Sequence, residues 1–144
     1  PLIFITFILF SFNLKNFNAI KIDNKPEQTT FKHGKLVYEN WSLKAMEQAS
    51  KKHKNTFIYF TAKWCLTCKV NEKIVLQSSD FHTLAKDHNL GLLRGDWTKR
   101  DDNITKFLKK YDIIGVPAYF ILKENGEVIS LGETISVNKI EKKL

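Results

Sequence analysis

Cysteine is scarce in this chain, with two residues in 144. A disulfide stabilises mainly by closing a loop in the unfolded chain, and Cys65 to Cys68 encloses almost none, which excludes a cross-link kept for stability. A second C-x-x-C is missing, and His33, His53, His82 and His88 show no paired ligand spacing, so no metal is expected. No cofactor motif is present either. The net charge of +8 arises from Lys scattered through nearly every segment, without a basic stripe interleaved with aromatics, which argues against a nucleic-acid partner. A general attraction to anionic membrane surfaces fits that charge. Long apolar runs are limited to residues 2–12, uncharged but shorter than the ~20 residues that span a bilayer. The first residue is Pro, not Met, so we expect a fragment or a processed product, with residues 1–14 the tail of a truncated membrane helix. A signal-peptide core is the alternative for this stretch. It lacks a basic leading region, and Phe17-Asn18-Ala19 matches a small-x-small cleavage site poorly. Either reading puts the remainder outside the cytoplasm.

What the chain does have is Trp64-Cys65-Leu66-Thr67-Cys68-Lys69, placed where a strand-like run gives way to a helix-like one. A C-x-x-C at the first helical turn sets its leading thiol among unpaired N–H groups at the positive end of the helix dipole, which favours thiolate over thiol. Lys63 and Lys69 act in the same direction. Cys65 is then the nucleophile, and Cys68, one turn further in, is placed to attack the mixed disulfide that Cys65 forms with a partner. Two inert buried cysteines are the competing reading.

Residues 15–34 are polar, contain Pro26 and show neither helical nor strand periodicity, and are read as a linker. Residues 35–144 form one domain. Lys35 to Tyr38 is a short edge strand. Trp41, Ala45 and Ala49 then mark one face of a helix capped by Asn40 or Ser42. Phe57 to Phe60 is apolar without alternation, as in a central strand covered on both faces. The cysteine helix runs to about Gln77, with Val70 and Ile74 on one face. A short helix capped by Ser79 or Asp80 carries Phe81, Leu84 and Ala85, with His88 at its end. Leu90 to Trp97 is a strand, and Asp101-Asp102 open a helix bearing Ile104, Phe107, Leu108 and Tyr111. Ala118 to Leu122 and Val128 to Leu131 form a hairpin about Asn125-Gly126, and Ser136 to Leu144 closes as a helix. The pattern predicts an α/β fold, a central mixed sheet with helices on both faces. Strands 56–61 and 90–97 run parallel, so Cys65 and Asp96-Trp97-Thr98 share the carboxyl edge.

With the C-x-x-C after a central strand and Gly115-Val116-Pro117 before a later one, the chain resembles the thioredoxin superfamily. The block from Phe60 to Glu72, with Asp96-Trp97-Thr98 and Gly115-Val116-Pro117, narrows the resemblance to the C-terminal periplasmic domain of the thiol:disulfide interchange protein DsbD family, over residues 35 to the end. The resemblance implies a thioredoxin-like fold and protein-disulfide reductase activity. It further implies attachment to the bacterial inner membrane with the domain on the periplasmic side. Electrons would pass from a membrane-embedded cysteine pair to this domain, then to the same protein's N-terminal periplasmic segment, and so to disulfide isomerases and cytochrome c maturation. It assigns Cys65 and Cys68 to the redox pair and Trp64 to the aromatic before it. Pro117, after Val116, is the cis loop proline against the disulfide, and Glu72 is an acidic residue that tunes the thiols. Two positions depart from the family pattern. Tyr59 stands where a buried Asp usually accepts the second thiol's proton, and tyrosine is a far weaker acceptor near neutral pH, which leaves that role to Glu72. Lys63 replaces an acidic or small residue. A free-standing secreted thioredoxin-like reductase and a redox-silent module that binds extended peptides are the alternatives.

Overall fold

The computed structural model describes residues 30–144. Residues 1–29, which hold the apolar segment and most of the linker read from the sequence, lie outside the described residues. Among the described residues no helix is long and apolar enough to cross a membrane.

Six strands form one mixed sheet: β1 (Thr30–His33), β2 (Leu36–Asn40), β3 (Asn55–Thr61), β4 (Gly91–Asp96), β5 (Ala118–Lys123) and β6 (Val128–Gly132), in the order β1-β2-β4-β3-β5-β6. The helices are α1 (Leu43–Lys52), α2 (Leu66–Asn71), α3 (Ser79–Asp87), α4 (Asp102–Lys110) and α5 (Val137–Glu141), and α2 continues as a π-helical segment, Glu72–Leu76.

β3 lies at the centre, parallel to β4 and antiparallel to β5, with every residue buried. Side chains alternate across a strand, so its unbroken apolar run feeds two cores. Phe57 and Tyr59 join Tyr38, Leu76, Phe81, Leu84, Tyr119 and Ile140 on one face. Ile58 and Phe60 join Trp41, Ala45, Ala49, Leu93, Phe107 and Phe120 on the other. Covering helices end in caps legible in the sequence. Ser42 accepts the Ala45 N–H at 3.0 Å, Asp101 accepts those of Asn103 and Ile104 at 2.9 Å, and Ser136 accepts that of Lys139 at 3.2 Å.

Three expectations are corrected. The strand at Lys35 to Tyr38 is internal, because Thr30–His33, at the end of the expected linker, pairs with it as β1. Gly34, at φ +57°, closes that hairpin in a conformation that favours glycine, and His33 turns inward until it is 5% exposed. Val70 and Ile74 do share a helix face, but it faces solvent. Cys68, Val75 and Leu76 turn inward instead. The α3 cap is Ser78, one residue earlier than expected.

Candidate active site

β3 delivers Thr61 and Ala62 to the carboxyl edge of the sheet, and a turn closed by the Cys65 N–H on the Ala62 carbonyl (3.1 Å) swings the chain into α2. Cys65 is the N-cap of that helix. Its sulfur accepts the Cys68 N–H at 3.2 Å, so one of the amides left unpaired at a helix start is already directed at it. The two cysteines are joined, with their Cα atoms 5.3 Å apart. Cys65 is 7% and Cys68 1% exposed. Both residues are buried in this disulfide form, packed with Ala62 and half-buried Val116.

Val116–Pro117 is a cis peptide bond, and Pro117 is buried immediately before β5. The residues flanking Cys65 are exposed and apolar, Trp64 at 59% and Leu66 at 75%, and Ile114, two residues before Val116, is 94% exposed. Trp64 is held from below, its indole N–H donating to the Thr98 carbonyl at 3.2 Å and its ring 6.3 Å from that of Trp97. Lys63 has an exposed side chain, and its N–H donates to Thr98 Oγ1 at 2.9 Å. Asp96 fixes Thr98 in turn by accepting its N–H (2.9 Å) and its hydroxyl. Burial works against the Asp96 charge, but the Thr98 hydrogen bonds and Arg94 outweigh it and hold the carboxyl below its ordinary value. The Asp96-Trp97-Thr98 turn therefore stands on the cysteine edge, as strand order predicts.

One helical turn beyond Cys68, the Glu72 side chain is only 16% exposed. Its Oε1 accepts the Thr61 hydroxyl at 2.7 Å, and its Oε2 lies 3.7 Å from His33 Nε2. Tyr59, 1% exposed, packs among Tyr38, Phe57 and Tyr119. Burial pushes its hydroxyl far above the ordinary value, and the Glu72 carboxylate adds to the rise. Sequence reasoning missed Thr61 and His33. Thr61 carried a usable signal, since it directly follows the apolar strand run and its side chain must point either into the core or at the edge. His33 carried none, lying in a stretch without periodicity.

The thioredoxin-like family profile matches residues 37–124. The thiol:disulfide interchange protein DsbD of Campylobacter jejuni is 26% identical over 59% of this chain, and that of Neisseria meningitidis 29% identical over 65%. This chain spans only 15% and 16% of those proteins. Among solved structures, the reduced C-terminal domain of Neisseria meningitidis DsbD superposes with a TM-score of 0.57 at 23% identity, covering 69% of this chain and 88% of that one. The DsbH oxidoreductase does so with a TM-score of 0.56 at 22% identity, covering 74% and 81%. Both likenesses concern the fold.

Proposed function

This chain belongs to the thioredoxin-like family, and from that premise we propose that it is a protein-disulfide reductase of the DsbD kind, working by thiol–disulfide exchange. The observation that carries the reading is the Cys65 sulfur at a helix start, where it accepts the Cys68 N–H, packed with Val116 of the cis Val116–Pro117 bond and next in sequence to exposed Trp64 and Leu66.

In the reduced protein the Cys65 thiolate attacks one sulfur of a partner disulfide. The partner's S–S bond breaks, its second sulfur leaves with the bonding pair, and a mixed disulfide forms. Cys68 then gives its proton to the Glu72 carboxylate and attacks Cys65 Sγ. The Cys65–partner bond breaks, the partner leaves as a thiolate that takes up a proton, and Cys65–Cys68 is the oxidised product. Trp64, Leu66, Val116 and Ile114 form the surface on which an extended partner segment lies, and Lys63 adds positive charge beside the thiolate. Tyr59 packs the core and transfers no proton. In this proposal residues 1–14 end a membrane helix of the inner membrane, residues 15–29 tether the domain on the periplasmic side, and a membrane-embedded cysteine pair re-reduces Cys65–Cys68. The N-terminal periplasmic segment of the same protein receives the electrons.

Cys68→Ala tests this by stalling the second displacement and leaving the partner attached to Cys65. Trapped adducts separated on non-reducing gels and identified by mass spectrometry should be few and dominated by segments of the same polypeptide, because a tether raises their effective concentration. A broad ladder of secreted proteins would instead indicate a free-standing reductase. No adduct at all would leave only a peptide-binding module.

A further inference from the structure

His33 comes from β1, far from the cysteines in sequence, yet it is 5% exposed and its Nε2 lies 3.7 Å from Glu72 Oε2. Its other ring nitrogen, Nδ1, is 3.2 Å from the Gln77 side-chain nitrogen. With the Gln77 amide nitrogen as donor, Nδ1 accepts and the neutral ring carries its proton on Nε2, which faces Glu72 without a hydrogen-bond partner among the described residues. Glu72 Oε1 thus accepts the Thr61 hydroxyl, while its Oε2 faces the buried His33 Nε2 at 3.7 Å, a contact longer than a hydrogen bond. A hydroxyl donor favours the charged form of a carboxylate, and apolar surroundings oppose it. The surroundings here are aromatic, formed by Tyr38, Tyr59 and Tyr119.

We infer that His33 is a positioning residue for the exchange reaction: its buried imidazole, held by Gln77 and facing Glu72 Oε2 at 3.7 Å, keeps that carboxylate oriented to take the Cys68 proton. The inference rests on the proposed role of Glu72 as proton acceptor. It explains how the site works without the family's buried Asp, since a Thr–Glu–His–Gln chain drawn from β3, the π-helical segment, β1 and the residue after that segment takes its place.

Other charged and titratable groups face this cluster. Arg94 of β4 and His82 of α3 act on His33 together with Glu72, and burial is the largest influence, lowering its proton affinity and keeping the ring neutral near pH 7. Tyr38 and Tyr59 are pushed far above their ordinary value and Tyr119 up to about 12, so all three stay protonated in that range.

The test uses the full reduced chain mixed with an aromatic disulfide, bis(3-carboxy-4-nitrophenyl) disulfide, which releases one coloured thiolate on attack by Cys65 and a second on resolution by Cys68. The aromatic thiol leaves as an anion throughout the range used, so the second phase reports formation of the Cys68 thiolate. His33→Leu should slow that phase by about twofold to tenfold at mildly acidic pH, as expected for losing one polar neighbour of a carboxylate, and should displace its pH profile upward. His33→Gln, which keeps a neutral donor, should restore most of the rate. His33→Leu should add nothing in a Glu72→Gln background. If Glu72→Gln slows resolution and His33→Leu does not, the inference falls while Glu72 remains the acceptor. If neither does, the role of Glu72 falls and the inference with it. Equal slowing by Leu and Gln at position 33 would reduce His33 to packing and also overturn the inference. Should His33→Leu fail to fold, Gln77→Leu keeps the imidazole but releases its tautomer, and an unchanged pH profile in that variant would refute the assignment.

Discussion

Replacing Tyr59 by Asp restores the residue that the DsbD family usually carries at this position, and the structure predicts that the restoration fails. The Tyr59 ring lies 5.3 Å from that of Tyr38, 6.2 Å from Phe57 and 6.4 Å from Tyr119, in a core where these neighbours are also fully buried. Truncating a buried aromatic costs about 3–5 kcal/mol from lost burial and the cavity left behind. The new carboxylate would also sit beside Glu72, whose charge already acts on Tyr59, so like-charge repulsion and desolvation add to that cost. A loss of about 4 kcal/mol is a large share of the 5–15 kcal/mol typical of a domain and lowers Tm by roughly 15 °C. Urea denaturation of wild type, Tyr59→Asp and Tyr59→Phe would measure it. Tyr59→Phe removes only a hydroxyl that stays protonated near neutral pH, and should leave the rate and pH profile of the second exchange step unchanged. A Tyr59→Asp variant as stable as wild type would refute the packing argument. An altered profile in Tyr59→Phe would refute the claim that this hydroxyl transfers no proton.

In the reduced protein, brief alkylation at mildly acidic pH should label Cys65 before Cys68, given their 7% and 1% exposure in the disulfide form, and mass mapping of the label would reverse the assignment if Cys68 led. Asp101→Ala removes the acceptor for the Asn103 and Ile104 N–H groups and should cost about 1 kcal/mol, read as a lower urea midpoint with exchange rates unaffected. The proton affinity of His33 is lowered in the fold, first by burial, so between its ordinary pKa of about 6.5 and the lower folded value the unfolded chain binds more protons. Stability should therefore fall as pH drops through that window, and His33→Gln should flatten the slope of urea midpoint against pH.

Where both faces of an element are covered, its residues announce it. Thr56 to Phe60 could hardly be anything but the central strand, and the parallel pairing of β3 with β4 follows from the helices between them. Caps were readable for the same local reason: Ser42, Asp101 and Ser136 each sit just before a run of helical spacing and bond one turn ahead. β1 was hidden because its four residues turn only Phe31 and His33 toward the core, and a single histidine does not mark a buried strand. The π-helical segment was hidden because its hydrogen-bond shift, with the Gln77 N–H reaching the Glu72 carbonyl at 2.9 Å, belongs to the backbone and leaves no periodic trace. The cysteine pair and the Asp96-Trp97-Thr98 turn were legible as one edge. The His33–Glu72 contact was not, since nothing in the spacing of residues 33 and 72 brings them together before the sheet is assembled.

The pairing of β1 with β2 also decides where this protein can be cut. Trimming at residue 35, where composition alone would start the domain, removes β1 and exposes the β2 N–H and C=O groups that pair with it. Such a truncated protein would retain both cysteines and pass a check for thiol content, yet it would lack the imidazole beside Glu72. The working unit for expression, crystallisation or grafting onto another membrane anchor therefore begins no later than Thr30.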